Sequence, residues 1–363
     1  MMSTPRQFYQ ILKAQQHTYV PEEVVNLFSQ IDAKRLESLA VTIAKYIATN
    51  LPLAINRRGG LEDYRTNPYV LMTCANVMKL HKPEDFAKFL FDSKFYMGLE
   101  TSFGKSMEAA FVNPYPVKSK HGEKWDDPAE KVAEAAALEG LANEEKALKR
   151  TSSVWREIDK SVVVDSRRYL VSIKSGPNCI NDTQVQAMTA AIVGNHKEWM
   201  RQSRETYKHV KELDIAIGIT YGTDRTSNNK ENQILVKLLG HGFVEEDREE
   251  KPGILIDEAT RSIRVYRRIG KEFWAFIGDP VQPNSTAFIF LEILLALAKG
   301  LSKGLGEAAL ETRINMKMAS LAAALAKMML PVGSLPEWVR KEFSESELFW
   351  FATAMTAFYD EGI

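Results

Sequence analysis

The chain has 363 residues, 45% of them hydrophobic, with 47 basic and 47 acidic side chains. This length can bury one large core or two modest ones, and the balanced charge excludes a protein that coats polyanions through its overall charge. Two cysteines without metal-ligand spacing exclude a disulfide framework, so a reduced, cytoplasmic location is expected. The amino terminus lacks the apolar run of a signal peptide, and the most apolar stretch, residues 287–298, is too short to span a membrane.

We predict three regions in chain order, namely residues 1–95, 96–283 and 284–363. In the first region, apolar side chains recur at helical spacing between Val24 and Ile47, which predicts helices. This first region is therefore expected to be a helical addition to a separate core.

The middle region alternates between the periods of helix and strand. Residues 129–148 are rich in alanine and predict a helix, and residues 182–213 predict a longer one. Residues 215–221 and 262–266 predict strands. This alternation predicts an α/β (α+β) fold with a mixed central β-sheet flanked by helices, and with helical additions at both ends of the chain.

The third region returns to helical spacing. Residues 284–299 predict a helix that the glycines at 300, 304 and 306 interrupt, and residues 308–329 predict another. The apolar run 348–351 either packs against the core or forms a dimer contact.

A β-hairpin in the middle region carries the most informative residues. Residues 157–164 predict its first strand, Asp165–Arg168 predict its turn, and residues 169–174 predict its second strand. Asp165 is a rival to Asp159 as a functional acid, but aspartate favours turns through local hydrogen bonds, so we assign it to the turn.

If the two strands pair in this register, Asp159 and Lys174 lie near one another at the open end of the hairpin. Ser172 and Lys174 are two residues apart and therefore share a face. A carboxylate can hold a hard divalent cation through oxygen, and a nearby lysine can supply positive charge or help to deprotonate water. This group of side chains suits chemistry on a phosphate.

The pattern resembles the PD-(D/E)XK nuclease superfamily, and in particular its type II restriction endonucleases. Three segments within residues 97–222 carry the resemblance. The segment ending at Glu108 is similar to the helix that lends a glutamate to the metal site, and residues 157–159 are similar to the strand with the metal-binding aspartate. Residues 172–174, followed by a helix that starts near Asp182, are similar to the segment with the active-site lysine.

One position departs from the family pattern, because Ser172 stands where the family usually has Asp or Glu. Some restriction enzymes that recognise CCGG-type sites also have serine there and recover an acid from the following helix. Here the corresponding position, twelve residues after Lys174, is Gln186. The replacement acid is then either Glu108 or Asp182, and we favour Glu108.

The resemblance implies a Mg2+-dependent endonuclease in which Asp159 and Glu108 bind the metal. It implies that Lys174 activates or orients the attacking water, and that Ser172 holds a water on the metal or a phosphate oxygen. Gln184, in the first turn of the following helix, would support the scissile phosphate, since helix N-termini favour anions.

The implied substrate is double-stranded DNA, cut in both strands at a short specific site to give 5'-phosphate ends. The resemblance also implies a homodimer and a separate cognate DNA methyltransferase. Asparagine and arginine can each make paired contacts with base edges, and lysine can contact phosphates. The residues expected to contact DNA are Lys105, Asn178, Asn181, Arg225, Asn228, Asn229 and Lys230.

Two other functions remain open at this stage. A structure-selective or modification-dependent nuclease of the same fold would share the site but not the substrate. A non-catalytic DNA-binding or assembly protein would account for the missing acid at Ser172. Residues 98–106 are one residue too long for a nucleotide-binding phosphate loop, so nucleotide hydrolysis is not predicted.

Overall fold

The computed structural model describes residues 29–57, 73–74, 77–80, 82–95, 123–176, 180–223, 228–246, 253–307, 316 and 318–319. The α-helices with defined bounds, numbered in chain order, are α1 Ala33–Arg57, α2 Ala129–Ala137, α3 Asn143–Ser152, α4 Asp182–Thr206, α5 Lys230–Leu239, α6 Lys271–Gly278 and α7 Ile289–Glu307. Residues 83–95 are also helical, and Pro283–Thr286 form a 3-10 turn.

A mixed sheet lies at the centre of the part of the chain that the structure describes. Its six strands have the order β1-β2-β3-β6-β5-β4. Strands β2, β3 and β6 are parallel to one another, and the other pairs are antiparallel. The strands are β1 Lys160–Val164, β2 Arg167–Lys174, β3 Glu212–Ile219, β4 Phe243–Glu245, β5 Leu255–Asp257 and β6 Ile263–Ile269. The predicted mixed sheet flanked by helices is confirmed.

Each face of the sheet is covered by apolar side chains. On one face, strand residues such as Leu170 and Ile215 form a buried cluster with Val185, Ile192 and Trp199 of α4. Residues on both faces are therefore removed from water, as expected for parallel strands whose crossover connections are helical.

The opposite face packs around Phe276 of α6. The rings of Trp125, Tyr169 and Tyr266 lie 5.5, 5.9 and 6.0 Å from it, centroid to centroid, in edge-to-face arrangements. Gly218 of β3 leaves room for α6 on this face, because a Cβ atom there would lie 2.3 Å from the ring of Phe273.

The long helix after the hairpin is shorter than predicted. Helix α4 ends at Thr206, and β3 already begins at Glu212. Pairing of β3 with β2 begins at Glu212 opposite Arg167. Glu212 and Leu213 therefore belong to the sheet, although the apolar spacing around them also fits a helix.

Three other predicted boundaries are corrected. Residues 129–148 form parts of two helices, α2 and α3, which a turn at 138–140 separates. Only Asp165 and Ser166 form the hairpin turn, and Arg167 and Arg168 already belong to β2. Residues 154–157 form a turn, so β1 begins one residue after Asp159.

The glycines at 300, 304 and 306 do not interrupt the helix that contains them, because α7 continues to Glu307. Gly304 instead permits close helix packing, since a Cβ atom there would lie 2.7 Å from the carbonyl oxygen of Ala44 in α1. The missing side chain of Gly304 thus lets α7 approach α1 closely.

Within the described residues, one stretch, Pro283–Leu301, is long and apolar enough to cross a membrane. This is weak support for a membrane span, because the core helix of a soluble protein passes the same test. The stretch also contains Glu292, a buried carboxylate whose two oxygens accept hydrogen bonds from Arg35 at 2.6 Å each.

Contacts divide the chain into two compact units. One comprises residues 1–43 and 104–298, and the other comprises residues 44–103 and 299–363. The three-region division into 1–95, 96–283 and 284–363 remains a prediction.

The two consecutive arginines at the start of β2 have different environments. Arg168 is fully buried, and its guanidinium lies 5.1 Å from the ring centroids of both Trp155 and Tyr207. Arg167 is partly exposed and pairs with Glu212 and Asp214. Arg168 is therefore neither a solvated surface charge nor a ready phosphate contact.

Asp214 is a buried carboxyl at the amino-terminal end of β3. It accepts hydrogen bonds from Arg264 Nε at 3.1 Å and Tyr266 Oη at 3.2 Å. Burial raises the pKa of Asp214 to about 7, although Arg167 opposes this shift. The pKa of Asp214 is higher in the folded chain than in the unfolded chain. The folded chain therefore loses stability as the pH rises from the unfolded pKa to the folded pKa.

We expect the free energy of unfolding to fall as the pH rises from 5 to 8, and to fall less in Asp214→Asn. The difference should be on the order of 2 kcal/mol, since each unit of pKa shift is worth about 1.4 kcal/mol. Urea unfolding followed by tryptophan fluorescence at both pH values measures it. Equal pH dependence in the two proteins would contradict the assignment to Asp214.

Candidate active site

The carboxyl-terminal ends of β2 and β3 are joined by several polar contacts. The N–H of Thr220 donates to the carbonyl oxygen of Lys174 at 3.0 Å, and its hydroxyl donates to that of Ser175 at 2.8 Å. Trp274 Nε1 in turn donates to the carbonyl oxygen of Thr220 at 2.7 Å. Lys174 therefore lies at a well-anchored edge of the sheet.

Asp159 continues the hairpin by one residue beyond β1. Its N–H donates to the carbonyl oxygen of Val171 at 2.8 Å, and its Oδ2 accepts from the N–H of Ile173 at 2.6 Å. Ser172 lies between these two contacts. The structure thus brings Asp159 beside Ser172, whereas the predicted four-residue turn would have placed it opposite Lys174.

The surroundings of Asp159 favour opposite protonation states. Burial raises the pKa of its carboxyl above the ordinary value. The hydrogen bond from Ile173 and the positive charges of Lys174 and Lys131 act in the opposite direction. The predicted roles of Asp159 and Lys174 in catalysis stay predictions.

The hydroxyl of Ser172 is buried and has no hydrogen-bond partner among the described residues. A buried hydroxyl without a partner costs about 1–3 kcal/mol, so its presence here calls for an explanation. Alternation along β2 directs Ser172 to the same face as Lys174. Its oxygen therefore has unused hydrogen-bonding capacity among the described residues.

These oxygens fit a hard divalent cation but do not complete a site. The carboxylate of Asp159 and the hydroxyl of Ser172 are both oxygen donors, which Mg2+ prefers. Among the described residues, no group of three or more His, Cys, Asp or Glu side chains could hold a metal. A further acid would therefore have to come from elsewhere in the chain.

Of the two candidates for that acid, only Asp182 lies among the described residues. Its side chain is 80% exposed and pairs with Lys230 Nζ. The hydrogen bond from Lys230 lowers the pKa of Asp182. Glu108 lies outside the described residues, and its role stays a prediction.

Helix α4 begins at a capping box. The side chain of Asn181 accepts from the N–H of Gln184 at 2.9 Å, and Gln184 Oε1 accepts from the N–H of Asn181 at 3.0 Å. This reciprocal pair satisfies two main-chain donors at the helix start. Gln184 therefore has a structural role here, and its predicted contact with the scissile phosphate is untested.

Four of the residues predicted to contact DNA lie together between the N-termini of α4 and α5. Asn228 Nδ2 donates to the carbonyl oxygen of Ile180 at 2.9 Å, and Asn228 Oδ1 accepts from the N–H of Lys230 at 3.2 Å. Asn229 has a left-handed backbone, with a φ of 62°, and precedes α5. The members of this cluster are Asn181, Asn228, Asn229 and Lys230.

Four predicted residues lie outside the part of the chain that the structure describes. They are Lys105, Glu108, Asn178 and Arg225. Their predicted roles in metal or DNA binding stay predictions.

Sequence reasoning missed one residue of the site, Lys131. Its Nζ donates to the carbonyl oxygen of Ile158 at 2.6 Å, across a separation of 27 residues. The alanine-rich segment around Lys131 predicted only a helix, and nothing in its spacing indicates which strand that helix would approach. The contact is a product of tertiary structure.

Comparison with known protein families gives a match over residues 132–252 to the family of the type II restriction endonuclease EcoO109I. Comparison with curated proteins gives no match. The matched segment contains Asp159, Ser172 and Lys174, and it covers about a third of the chain. The resemblance to a type II restriction endonuclease is confirmed over this segment, and the PD-(D/E)XK superfamily is consistent with it.

The capping box gives a stability prediction. Asn181→Ala should lower the free energy of unfolding by about 1 kcal/mol, because α4 loses a side-chain acceptor for its first turn. Asn181→Ser, which keeps an oxygen acceptor, should lose less. Urea unfolding of the two variants measures the difference, and equal stability of Asn181→Ala and the parent would contradict the capping role.

Proposed function

We propose that this chain is a Mg2+-dependent type II restriction endonuclease that cuts both strands of double-stranded DNA at a short specific site. The proposed products carry 5'-phosphate and 3'-hydroxyl ends. The observation that carries this proposal is the group formed by Asp159, Ser172 and Lys174 at the end of the sheet, inside the segment that matches the restriction endonuclease family. The family match supports DNA cleavage in general, and it does not identify a recognition sequence.

In the proposed site, Asp159 and Glu108 would hold the metal ion. Mg2+, when bound, would supply a Lewis acid for a phosphoryl oxygen. The carboxylate of Asp159 is already fixed by the N–H of Ile173, so little reorganisation is needed to present its other oxygen. The hydroxyl of Ser172 would form a hydrogen bond, either with a water molecule on the metal or with a phosphate oxygen.

Lys174 would act on the attacking water. Its ammonium group can orient the water, accept its proton when deprotonated, or stabilise negative charge that develops on the phosphate. Its position at the end of β2 fixes the start of its side chain, because its own carbonyl oxygen accepts a hydrogen bond from the N–H of Thr220.

The cluster between α4 and α5 would contact DNA phosphates and bases. Helix N-termini present main-chain N–H groups and a positive partial charge to anions. Lys230 is paired with the exposed Asp182, so a DNA phosphate would compete with that carboxylate for the ammonium group. Asn228 and Asn229 would lie beside the same phosphate.

We further propose how the enzyme assembles and where it acts. A homodimer would match the two-fold symmetry of a palindromic site. A separate DNA methyltransferase would protect the host's own sites, and both proteins would act in the cytoplasm. The enzyme would act without binding a membrane.

One observation favours a second candidate, a non-catalytic DNA-binding or assembly protein. Ser172 occupies the position where the superfamily usually has an acid, and among the described residues no group of three metal-binding side chains forms around Asp159. A structure-selective or modification-dependent nuclease shares the proposed site and differs in substrate, so only digestion products distinguish it.

Digestion of a large unmethylated DNA by the purified protein tests the proposal. We expect discrete fragments with Mg2+ and no cleavage with EDTA, and sequencing of the fragment ends should give a single short site. Asp159→Ala and Lys174→Ala should each reduce the cleavage rate at least about 100-fold, the usual scale for a catalytic group.

Lys211→Ala is the matched control for the lysine variant. Lys211 is exposed and precedes β3 at the opposite end of the sheet, so its loss should leave cleavage unchanged. Circular dichroism should show that all three variants are folded. Binding without any cleavage would favour the non-catalytic protein, and a smear of products would favour a nuclease without this specificity.

A second pair of variants identifies the acid that replaces the one missing at Ser172. We expect Glu108→Ala to abolish cleavage and Asp182→Ala to retain it, because Asp182 is exposed and engaged with Lys230. Cleavage rates at several Mg2+ concentrations measure the effect. The reverse result would assign the metal ligand to Asp182.

A further inference from the structure

Helix α2 is attached to the core by polar contacts, since no residue of the helix is buried. Glu130 accepts hydrogen bonds from Arg168 Nη1 at 2.8 Å and Nη2 at 2.7 Å, and from the hydroxyl of Thr206 at 2.7 Å. Glu134 accepts from the hydroxyl of Ser153. These contacts fix the first turns of α2 beside the segment that leads into β1.

Lys131, between these two glutamates, contacts the peptide that precedes the proposed metal-binding aspartate. Its Nζ donates to the carbonyl oxygen of Ile158 at 2.6 Å. That carbonyl belongs to the planar peptide unit that ends at the Cα atom of Asp159, so holding the oxygen limits rotation of the whole unit. A hydrogen bond from a charged donor is stronger than one between neutral groups.

The same peptide region is held from the other side by the hairpin. The N–H of Asp159 donates to the carbonyl oxygen of Val171, and its carboxylate accepts from the N–H of Ile173. Lys131 therefore provides the contact from α2, while β2 provides two contacts from the sheet. The aspartate lies between these two attachments.

From this geometry we propose that Lys131 is a positioning residue for Asp159. It holds the Ile158 carbonyl, and thereby orients the carboxylate that faces the reacting phosphate. This inference rests on the proposed function, and it adds a residue that precedes the family-matched segment by one position. A displacement of about 1 Å at an active site can cost about 100-fold in rate, so the effect should be measurable.

Lys160 offers a matched control. Its Nζ donates to Asp127 Oδ1 at 2.7 Å, so it also anchors the segment that precedes α2, and it follows Asp159 directly in the chain. The contact of Lys160 is with a side chain of that segment, and it leaves the Ile158 carbonyl untouched. Lys131→Met and Lys160→Met therefore both remove a lysine that holds α2 or the segment before it. Only Lys131→Met also removes the hydrogen bond to the Ile158 carbonyl oxygen.

The first measurement is single-turnover cleavage of site-containing DNA by the parent, Lys131→Met, Lys131→Arg and Lys160→Met. We expect Lys131→Met to cut about 10 to 100 times more slowly, with the dissociation constant for DNA unchanged within about twofold in EDTA. Lys131→Arg can still donate to the carbonyl and should recover most of the rate. Lys160→Met should cut like the parent.

The second measurement needs no cleavage, and it follows hydrogen exchange at the Ile173 amide in the metal-free proteins. Exchange should accelerate in Lys131→Met and stay unchanged in Lys160→Met, because that amide donates to the Asp159 carboxylate. Parental cleavage by Lys131→Met, or equal losses in the two methionine variants, would overturn the inference. If the parent cuts no DNA, the proposed function fails, and accelerated exchange in Lys131→Met alone still supports the positioning contact.

Discussion

The parallel pairing of β2 with β3 is the constraint on which the rest of this structure depends. Eight consecutive residues of each strand pair in register, from Arg167 with Glu212 to Lys174 with Ile219. Parallel neighbours require a long crossover, which α4 supplies, and the crossover returns the chain so that both strands end at the same edge. Lys174, Thr220 and the starts of α4 and α5 therefore meet where the candidate site lies.

The antiparallel hairpin contributes the acid to this edge. Strand β1 pairs with β2 on the side opposite β3, and Asp159 extends that pairing by one residue. The aspartate and the lysine reach the same place from two strands of opposite direction. Two residues that are fifteen apart in the chain therefore lie toward the same end of the sheet.

The hairpin was predictable from the sequence because alternation, turn residues and strand length all indicated it, but its register was two residues off, since Arg167 and Arg168 belong to β2 and not to the turn. The end of α4 was not predictable, since residues 207–213 have a spacing compatible with either period and only pairing with β2 decides between them. Strands β4 and β5, of three residues each, are too short to give a periodic signal.

In the candidate site, too, some residues could be predicted from local sequence pattern and others could not. Asp159 and Lys174 follow from local pattern, while Lys131 depends on where α2 packs, which no spacing encodes. Arg168 is a similar case, because its neighbour Arg167 is partly exposed and only the fold buries one of the pair. Side chains that act across long separations are the part that sequence reasoning leaves out.

The two outer strands of the sheet also restrict how copies of this chain can associate. Strand β4 has only three residues, and the outer side of β1 is partly occupied by a bridge between Ser161 and Asp126. A long, free edge would invite pairing with another sheet, and neither outer strand offers one in the part of the chain that the structure describes. Within the described residues, the sheet is therefore poorly suited to edge-to-edge pairing with the sheet of a second copy.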